Sequence, residues 1–428
     1  MKTSSKPRLV YYSDCVAFGG CENVLVNLIN SPMVRKHYDV VFVYRAHRKY
    51  EEGRRLRITG VHTVPVRLLS NDSIFYSWSI SGMPRPLLRV LKLPLLALEC
   101  TGIYAAANFL ILWVVFAVHK AGIVHINNGG YPAAATCLTA VWSARAAGAR
   151  RVVFTVNNIA TPRRFPWDAF VDAVTAKLTD RFVTASVPAQ QALIERRGIP
   201  PGRIRRIPNA LQPVRPARDR TAVLREFRME HKRAVLCEVG LLQHAKGQVF
   251  LLEAVVRLCR EHPEFAADLV LFLVGEGEDR GRLDAMVHRY RLQETVVLTG
   301  QRADYADFIA AADVFVLPSV ANEDMPLVIL AAMSLGIPVV STRIAGIPEQ
   351  IRDGVDGVLL DPARLAEELP VTLERLLRSP EERARLADSA RRRHGQLFSV
   401  DAVVNAYSSL YENGGPFRND RTVAEGAA

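Results

Sequence analysis

SVANEDMPLVILAAMSLGIPVVSTRIAGIPE, residues 319–349, reads as a strand end, an acidic loop, a helix, a buried strand and a glycine-proline loop. The residues leading into it, Asp313-Val-Phe-Val-Leu-Pro-Ser319, form a short β-branched and aromatic run closed by proline, which suits a buried parallel strand. Pro326 fits the first turn of a helix, where a missing N–H costs nothing, and Leu327 to Leu335 continue it until Gly336 ends it. Glu323 thus sits at the carboxyl end of a strand and just before a helix N-terminus. In open α/β sheets ligands bind at that edge, and a helix N-terminus offers free N–H groups and partial positive charge to phosphates.

The chain outward from this stretch keeps the same rhythm. Ala234-Val-Leu-Cys-Glu-Val239, Leu269-Val-Leu-Phe-Leu-Val274, Thr295 to Gly300 and Val358 to Asp361 are predicted strands, with helices from Gln248, near Arg280–Tyr290 and around Ala306–Ala312 between them. Upstream, Arg8–Tyr12, Tyr38–Tyr44, Val124–Gly130, Ala149–Asn158 and Arg181–Ser186 repeat the alternation. Strands alternating with helices imply parallel sheets. The polar, proline-rich run Leu211–Arg218 reads as a linker. At 428 residues, 49% of them apolar, the chain is long enough for two such units.

The residues Glu323 to Thr342, with Gly346-Ile-Pro-Glu349 and Gly354-Val-Asp-Gly357, resemble the signature of family 4 of the retaining glycosyltransferases. That resemblance implies the GT-B fold: two Rossmann-like domains facing across a cleft. It places an acceptor-binding domain at 1–210, a nucleotide-sugar-binding domain at 211–395, a helix at 396–412 crossing back to the first domain, and a disordered tail at 413–428. It also implies a nucleotide-diphosphate sugar as donor substrate, with no cofactor and no metal. The cationic side chains and helix N-termini then stabilise the leaving diphosphate.

Matched residue by residue, the resemblance gives Glu323 and Lys246 catalytic roles and puts Asn157 where the family commonly has histidine. Gly240, Lys246, Glu323, Asp324, Met325, Pro326, Leu327, Ala331, Gly346 and Glu349 take donor-side positions. Gly19 and Gly20 occupy a glycine-glycine-x-glutamate turn on the acceptor side, with Asn158 and Asn209. Three departures stand out. Asn157 can hydrogen-bond a sugar hydroxyl but cannot exchange protons as imidazole does. Leu241 replaces a phosphate-facing arginine. Ala331 replaces a second glutamate, eight positions after Glu323, that holds the ribose in the family. If the donor is consequently bound loosely, Ala331→Glu should tighten it; if Glu349 has taken over the ribose, Glu349→Ala should be the damaging change. The departures also feed a rival reading, a catalytically silent subunit that binds sugar nucleotide or lipid and supports an active partner. A nucleotide-sugar epimerase on the same fold matches the stretch around Glu323 less well.

A formal net charge of +12 is compatible with nucleic acid, an anionic membrane surface or phosphorylated substrates. No nucleic-acid-binding motif is visible, so no nucleic-acid partner is expected. The six cysteines are scattered without paired metal-ligand spacing and read as reduced thiols. Arg45–Arg57 is strongly basic and reads residue by residue as a solvated loop, although as a cluster it could attract anionic head groups. Pro84–Leu98 and the uncharged run Cys100–Val118 are the compositional anomaly. Spanning is rejected, because a strand follows at once; Arg85, Arg89 and Lys92 beside Leu87, Leu88, Leu91, Leu95 and Leu96 suit a helix resting on a membrane. The amino terminus lacks the apolar core of a secretion signal. The expected setting is therefore cytoplasmic, peripheral at the inner face of the cell membrane, with a lipid-linked or glycan acceptor.

Overall fold

The computed structural model describes residues 6–15, 18–71 and 84–412, with the side chains of Arg85, Arg89, Leu96, Glu99 and Cys100 outside that description. The chain divides into two compact units: residues up to Ile207 with the segment from Val404, and Pro208–Val403.

The first unit carries a seven-stranded parallel sheet in the order β3-β2-β1-β4-β5-β6-β7. Its strands are β1 Arg8–Ser13, β2 Asp39–Arg45, β3 His62–Val66, β4 Ile123–Asn128, β5 Arg151–Val156, β6 Arg181–Thr184 and β7 Ile204–Arg206. Its helices are α1 Gly20–Ile29, α2 Pro32–His37, α3 Arg48–Arg57, α4 Arg85–Cys100, α5 Ile103–Val118, α6 Ala135–Ala146, α7 Asp168–Leu178 and α8 Val187–Arg197. The second unit carries six parallel strands, β10-β9-β8-β11-β12-β13. These are β8 Ala234–Val239, β9 Leu269–Val274, β10 Val296–Gly300, β11 Val314–Leu317, β12 Val339–Thr342 and β13 Val358–Leu360. Its longer helices are α9 Arg220–Glu226, α10 Gln248–Glu261, α11 Arg280–Arg289, α12 Tyr305–Ala311, α13 Leu327–Leu335, α14 Leu365–Arg378 and α15 Pro380–Arg393, before α16 Val400–Tyr411 closes the described chain.

Both sheets are buried on two faces, as their unbroken apolar runs require. In the second unit the period of two sorts the residues cleanly: Leu236, Leu271, Leu273, Val314 and Val316 join one core, while Val235, Cys237, Phe272, Phe315 and Leu317 join the other. In the first unit α16 adds its own anchor. Tyr411 meets His125 Nδ1 at 2.6 Å and Tyr11 at 3.3 Å, and Tyr407 stacks on the His125 ring.

Several expectations change. The basic run 45–57 is not a loop: Arg45 ends β2, buried against Asp14, and Arg48–Arg57 is a helix in which Glu51 pairs with Arg54 and Arg55 one turn on. The break between units falls after Ile207, a little before the expected 210, and the closing segment joins the first unit only from Val404. The tail at 413–428 lies outside the described residues. Among the described residues, no helix is long and apolar enough to cross a membrane.

Candidate functional site

In each sheet the strand order reverses once, between β1 and β4 in the first unit and between β8 and β11 in the second. Such a reversal opens a crevice beyond the carboxyl ends of the two strands, because the connections leave on opposite faces.

In the second unit the chain leaving β8 runs Gly240 to Lys246 into Gly247, and the chain leaving β11 runs Pro318 to Glu323. The two segments meet as an ion pair. Lys246 Nζ contacts Glu323 Oε1, and Ser319 Oγ donates to the same oxygen at 2.9 Å. Both charged side chains are nearly enclosed. The strand ends approach closely because three glycines permit it. A Cβ at Gly247 would lie 2.0 Å from the Pro318 carbonyl oxygen, one at Gly275 1.8 Å from that of Gly240, and one at Gly277 2.1 Å from that of Leu242. Gly247 and Gly275 also hold positive φ, so a side chain is excluded twice over.

Beneath the ion pair lies Glu238, fully buried on β8. Burial pushes its carboxyl well above the usual range, with the Lys246 charge pulling the other way. The Gln248 amide alongside donates instead to the Leu241 carbonyl at 3.0 Å, so neither Glu238 oxygen receives a hydrogen bond of good geometry.

The rest of the acidic loop is held from behind. Asp324 and Met325 are buried; the Met325 carbonyl accepts from Asn209 Nδ2 at 2.8 Å and the Pro326 carbonyl from Gln350 Nε2 at 3.2 Å. Pro326 caps α13 with no side-chain acceptor, leaving first-turn N–H groups at the crevice beside Leu327. Gly346 starts the short turn Ile347–Gln350, where Glu349 is half-buried and its carbonyl accepts from Arg393 at 2.9 Å.

Two expected placements fail. Asn209, taken as acceptor-side, belongs to the second unit, where it braces the acidic loop. Ala331 has no accessible surface and belongs to the apolar core: the α13 face that carries it points into the sheet. It lines no crevice, so a glutamate there would be a buried charge rather than a ribose ligand. Ser334, on the next turn, bonds back to the Ala331 carbonyl at 2.8 Å.

The first unit's reversal is built of glycines, amides and one buried carboxylate, Glu22. Gly19 and Gly20 are exposed and open α1, and Glu22 reaches back to the Gly19 N–H at 3.3 Å and to Ser13 Oγ at 3.0 Å. Asn157 Nδ2 donates to Asn127 Oδ1 and to the Asn128 carbonyl, both at 2.9 Å, and Asn127 in turn reaches the Cys21 carbonyl at 3.4 Å. Asn157 is therefore linked through Asn127 to Cys21, the residue after Gly20. Asn158 is turned away into a local bond with the Ile159 N–H at 2.8 Å. Among the described residues, Cys15, Cys21 and Glu22 bring possible metal-ligand atoms within 4.8 Å of one another, but the Cys21 thiol donates to Glu22 at 2.8 Å, a proton-filled contact.

Sequence reasoning missed Ser319, Glu238, Glu22 and Asn127. A charged residue one position before a strand end, inside a run that reads VLCEV, is the one signal that marked Glu238.

Comparison with known proteins points the same way. Residues 219–393 match the family described as glycosyl transferases group 1. The D-inositol 3-phosphate glycosyltransferase of Geodermatophilus obscurus is 31% identical over 248 residues, 54% of this chain and 53% of that protein. The lipopolysaccharide core biosynthesis glycosyltransferase LpsE of Rhizobium meliloti is 33% identical over 176 residues, 41% of this chain and 49% of that protein. The chain spans about half the length of the curated relatives it matches. A glycosyltransferase from Rickettsia africae shares the fold at a TM-score of 0.73 and 14% identity, covering 96% of this chain and 100% of that one. Anabaena Alr3699/HepE in complex with UDP-glucose does so at 0.71 and 19%, covering 94% and 99%. The two parallel-sheet α/β units are of the GT-B kind, and the match to the glycosyl transferases group 1 family lies across the second of them, residues 219–393.

Proposed function

We propose that the protein is a retaining, metal-independent glycosyltransferase that moves a sugar from a nucleotide-diphosphate sugar to a lipid-linked or glycan acceptor at a membrane surface. The pairing of Lys246 with Glu323 at the strand reversal of the second unit carries this reading. A diphosphate entering the crevice competes for Lys246 and adds the first-turn N–H groups of α13, so the cation transfers from carboxylate to phosphate. Glu323, released, faces the sugar and orients its hydroxyls. As the glycosidic bond breaks, Lys246 and the helix terminus hold the charge that develops on the leaving diphosphate. The departing phosphate oxygen takes the acceptor's proton on the face from which the acceptor arrives. The UDP-glucose in the Anabaena structure supports a nucleotide sugar as the donor class.

The membrane part rests on α4 and α5. Leu87, Val90, Leu91 and Leu93 of α4 and Ile103, Leu110, Trp113 and Val114 of α5 are exposed. Contiguous exposed apolar side chains on two helices mark an interaction surface, and a basic chain suits an anionic one. Vesicle sedimentation should show retention that rises with anionic lipid and weakens with salt; equal retention on neutral vesicles removes the electrostatic part.

Leu241, 62% exposed where the family has a cation, favours the silent-subunit alternative. Calorimetry against UDP-, GDP- and ADP-sugars decides between them. Saturable binding with transfer to acceptor supports the enzyme, while binding without transfer, or no binding at all, overturns it in favour of the silent subunit.

A further inference from the structure

The first unit contains a second built site, away from the strand reversal. The alanine runs Ala105-Ala106 on α5 and Ala133-Ala134-Ala135 at the start of α6 present small side chains. Between α5, α6 and the start of α7 they leave a cavity of about 770 Å³ walled by Ala106, Phe109, Leu138, Trp142, Phe165 and Trp167. Phe165 and Trp167 stack face to face at its mouth, 4.7 Å between centroids and 4° from parallel, and both remain half exposed. A volume of this size matches small-molecule sites, roughly 300–1,000 Å³, and its walls are almost wholly apolar.

The cavity does not end blindly. Through Pro132, Ala133, Phe165, Asp168 and Arg197 it adjoins a second cavity of about 410 Å³ that runs along Gly129-Gly130 and Asn158, at the carboxyl ends of β4 and β5. Arg197 stands at the shared wall. Its side chain is 1% exposed and lies over the Tyr131 ring at 5.2 Å. Nη2 donates to Asp172 at 3.0 Å, but Nε and Nη1 have no hydrogen-bond acceptor. Asp168 is 3.6 Å from Nη1 and already holds the backbone N–H groups of Arg164 and Phe165 at 2.8 and 3.3 Å. Residues 163–172 with 196–197 bring four arginines against two aspartates, so the wall carries excess positive charge. Leaving two donors of a buried guanidinium without acceptors is costly, and an anion at the wall removes the cost.

We propose that these joined cavities bind a phosphate ester of a long apolar tail, the tail between α5 and α6 and the phosphate at Arg197. The site rests on the reading of this unit as the acceptor side: the acceptor is a lipid phosphate whose polar end is delivered to the ends of β4 and β5.

Trp142 and Trp167 report occupancy directly. Titrating the full chain with farnesyl phosphate should change tryptophan emission saturably, with farnesol at least about tenfold weaker and inorganic phosphate silent. Ala106→Phe, on an exposed helix face, fills the apolar cavity and should abolish the response; Arg197→Gln should reduce farnesyl phosphate to the level of farnesol. If Arg197→Gln fails to fold because Asp172 keeps only Arg163 of its two arginine partners, Ala106→Phe and the ligand series still decide. No response to farnesyl phosphate, equal response to farnesol, or a response unchanged by Ala106→Phe each overturns the site. Binding only to phosphatidic acid vesicles, without competition by farnesyl phosphate, assigns the affinity to the surface of α4 and α5 and overturns it as well. Nucleotide-sugar calorimetry on the same samples reads the second unit, so failure here and failure of the donor reading are separable.

Discussion

The two sheets reverse their strand order in the same manner, yet the groups at the two reversals differ in kind. In the second unit a lysine and a glutamate neutralise each other above a buried acid, with glycines drawing the strand ends together. In the first unit the corresponding edge holds exposed glycines, the buried Glu22 and a chain of amides from Asn157 through Asn127, and the larger cavity nearby is mainly apolar. Charge that can be exchanged for a diphosphate suits binding and departure of a nucleotide. Neutral donors and acceptors suit hydroxyls, and the apolar groove suits a tail. The contrast is the chemical basis of the proposal that donor and acceptor are held by separate units, and each of the following experiments is designed to break it.

The largest effect is expected inside the second unit's core. Ala331→Glu would bury a carboxylate in the apolar core shared with Ile329, Leu330 and Met333, at a cost of several kcal/mol. The variant should lose the cooperative melting of the second unit. A stable variant that binds nucleotide more tightly would restore the ribose role expected from the resemblance.

Next come the paired charges. Glu323→Gln keeps the shape of the loop but removes the sugar-facing charge, and turnover should fall about 10²–10³-fold, the range for a group stabilising a transition state. Nucleotide affinity should hold or rise, because Lys246 is released. Lys246→Met should weaken nucleotide affinity about 10- to 100-fold, the loss of a charge-assisted hydrogen bond. The reverse pattern, affinity lost in Glu323→Gln and kept in Lys246→Met, would break the assignment of charge to the diphosphate.

A smaller effect separates the units by pH. Burial pushes His125 down to about 3, so the folded first unit keeps it neutral while the unfolded chain protonates it near pH 6.5. Its folded value is the lower one, so stability is complete above about pH 6.5 and lost as pH falls. From pH 6.5 to 5 the loss is about 2 kcal/mol, or roughly 4–8 °C in Tm for a unit of this size. Glu238 runs the other way: its folded value is raised, so its contribution is present at low pH and fades as pH rises through the carboxylate range. Calorimetric scans should therefore show the first unit's transition falling with acid while the second's holds. His125→Gln should flatten the slope; an unchanged slope removes His125 from the account.

How far the sequence could be read follows from how local each signal is. Glu323, Lys246 and the glycine loops were legible because a strand end, a helix start and a ligand-facing residue lie within a few positions of one another. Ala331 was misplaced because the motif gives spacing but not rotation: it takes the packing of α13 on the sheet to show which side of the helix is sealed. Asn209 was assigned to the wrong unit because the break between units has no marker at Ile207 and its partner, the Met325 carbonyl, is 116 positions away. The arginine-rich helix α3 was hidden by its own charge, since its support comes from the pairs that Glu51 and Glu52 make along it. The joined cavities were not legible at all. They depend on alanines in two separate helices and on Arg197 lying beside both, and no periodicity records that coincidence.

The mildest experiment probes the amide chain of the first unit. Asn157 donates twice, to Asn127 and to the Asn128 carbonyl, and its own Oδ1 has no donor among the described residues. A histidine at this position would offer a titrating nitrogen; the amide instead offers a fixed acceptor to a hydroxyl and a brace to the turn at Gly19-Gly20 through Asn127. Asn157→Ala should then cost about 1 kcal/mol of stability and raise KM for the acceptor about fivefold, with nucleotide affinity unchanged. Asn157→Asp keeps the acceptor atoms but loses the two donated bonds and sets a carboxylate against Asn127 Oδ1 and the Asn128 carbonyl, so it should be worse than alanine. If either variant alters nucleotide affinity instead, Asn157 acts on the donor, and the division of labour between a charged unit and a neutral one fails at its most lightly held point.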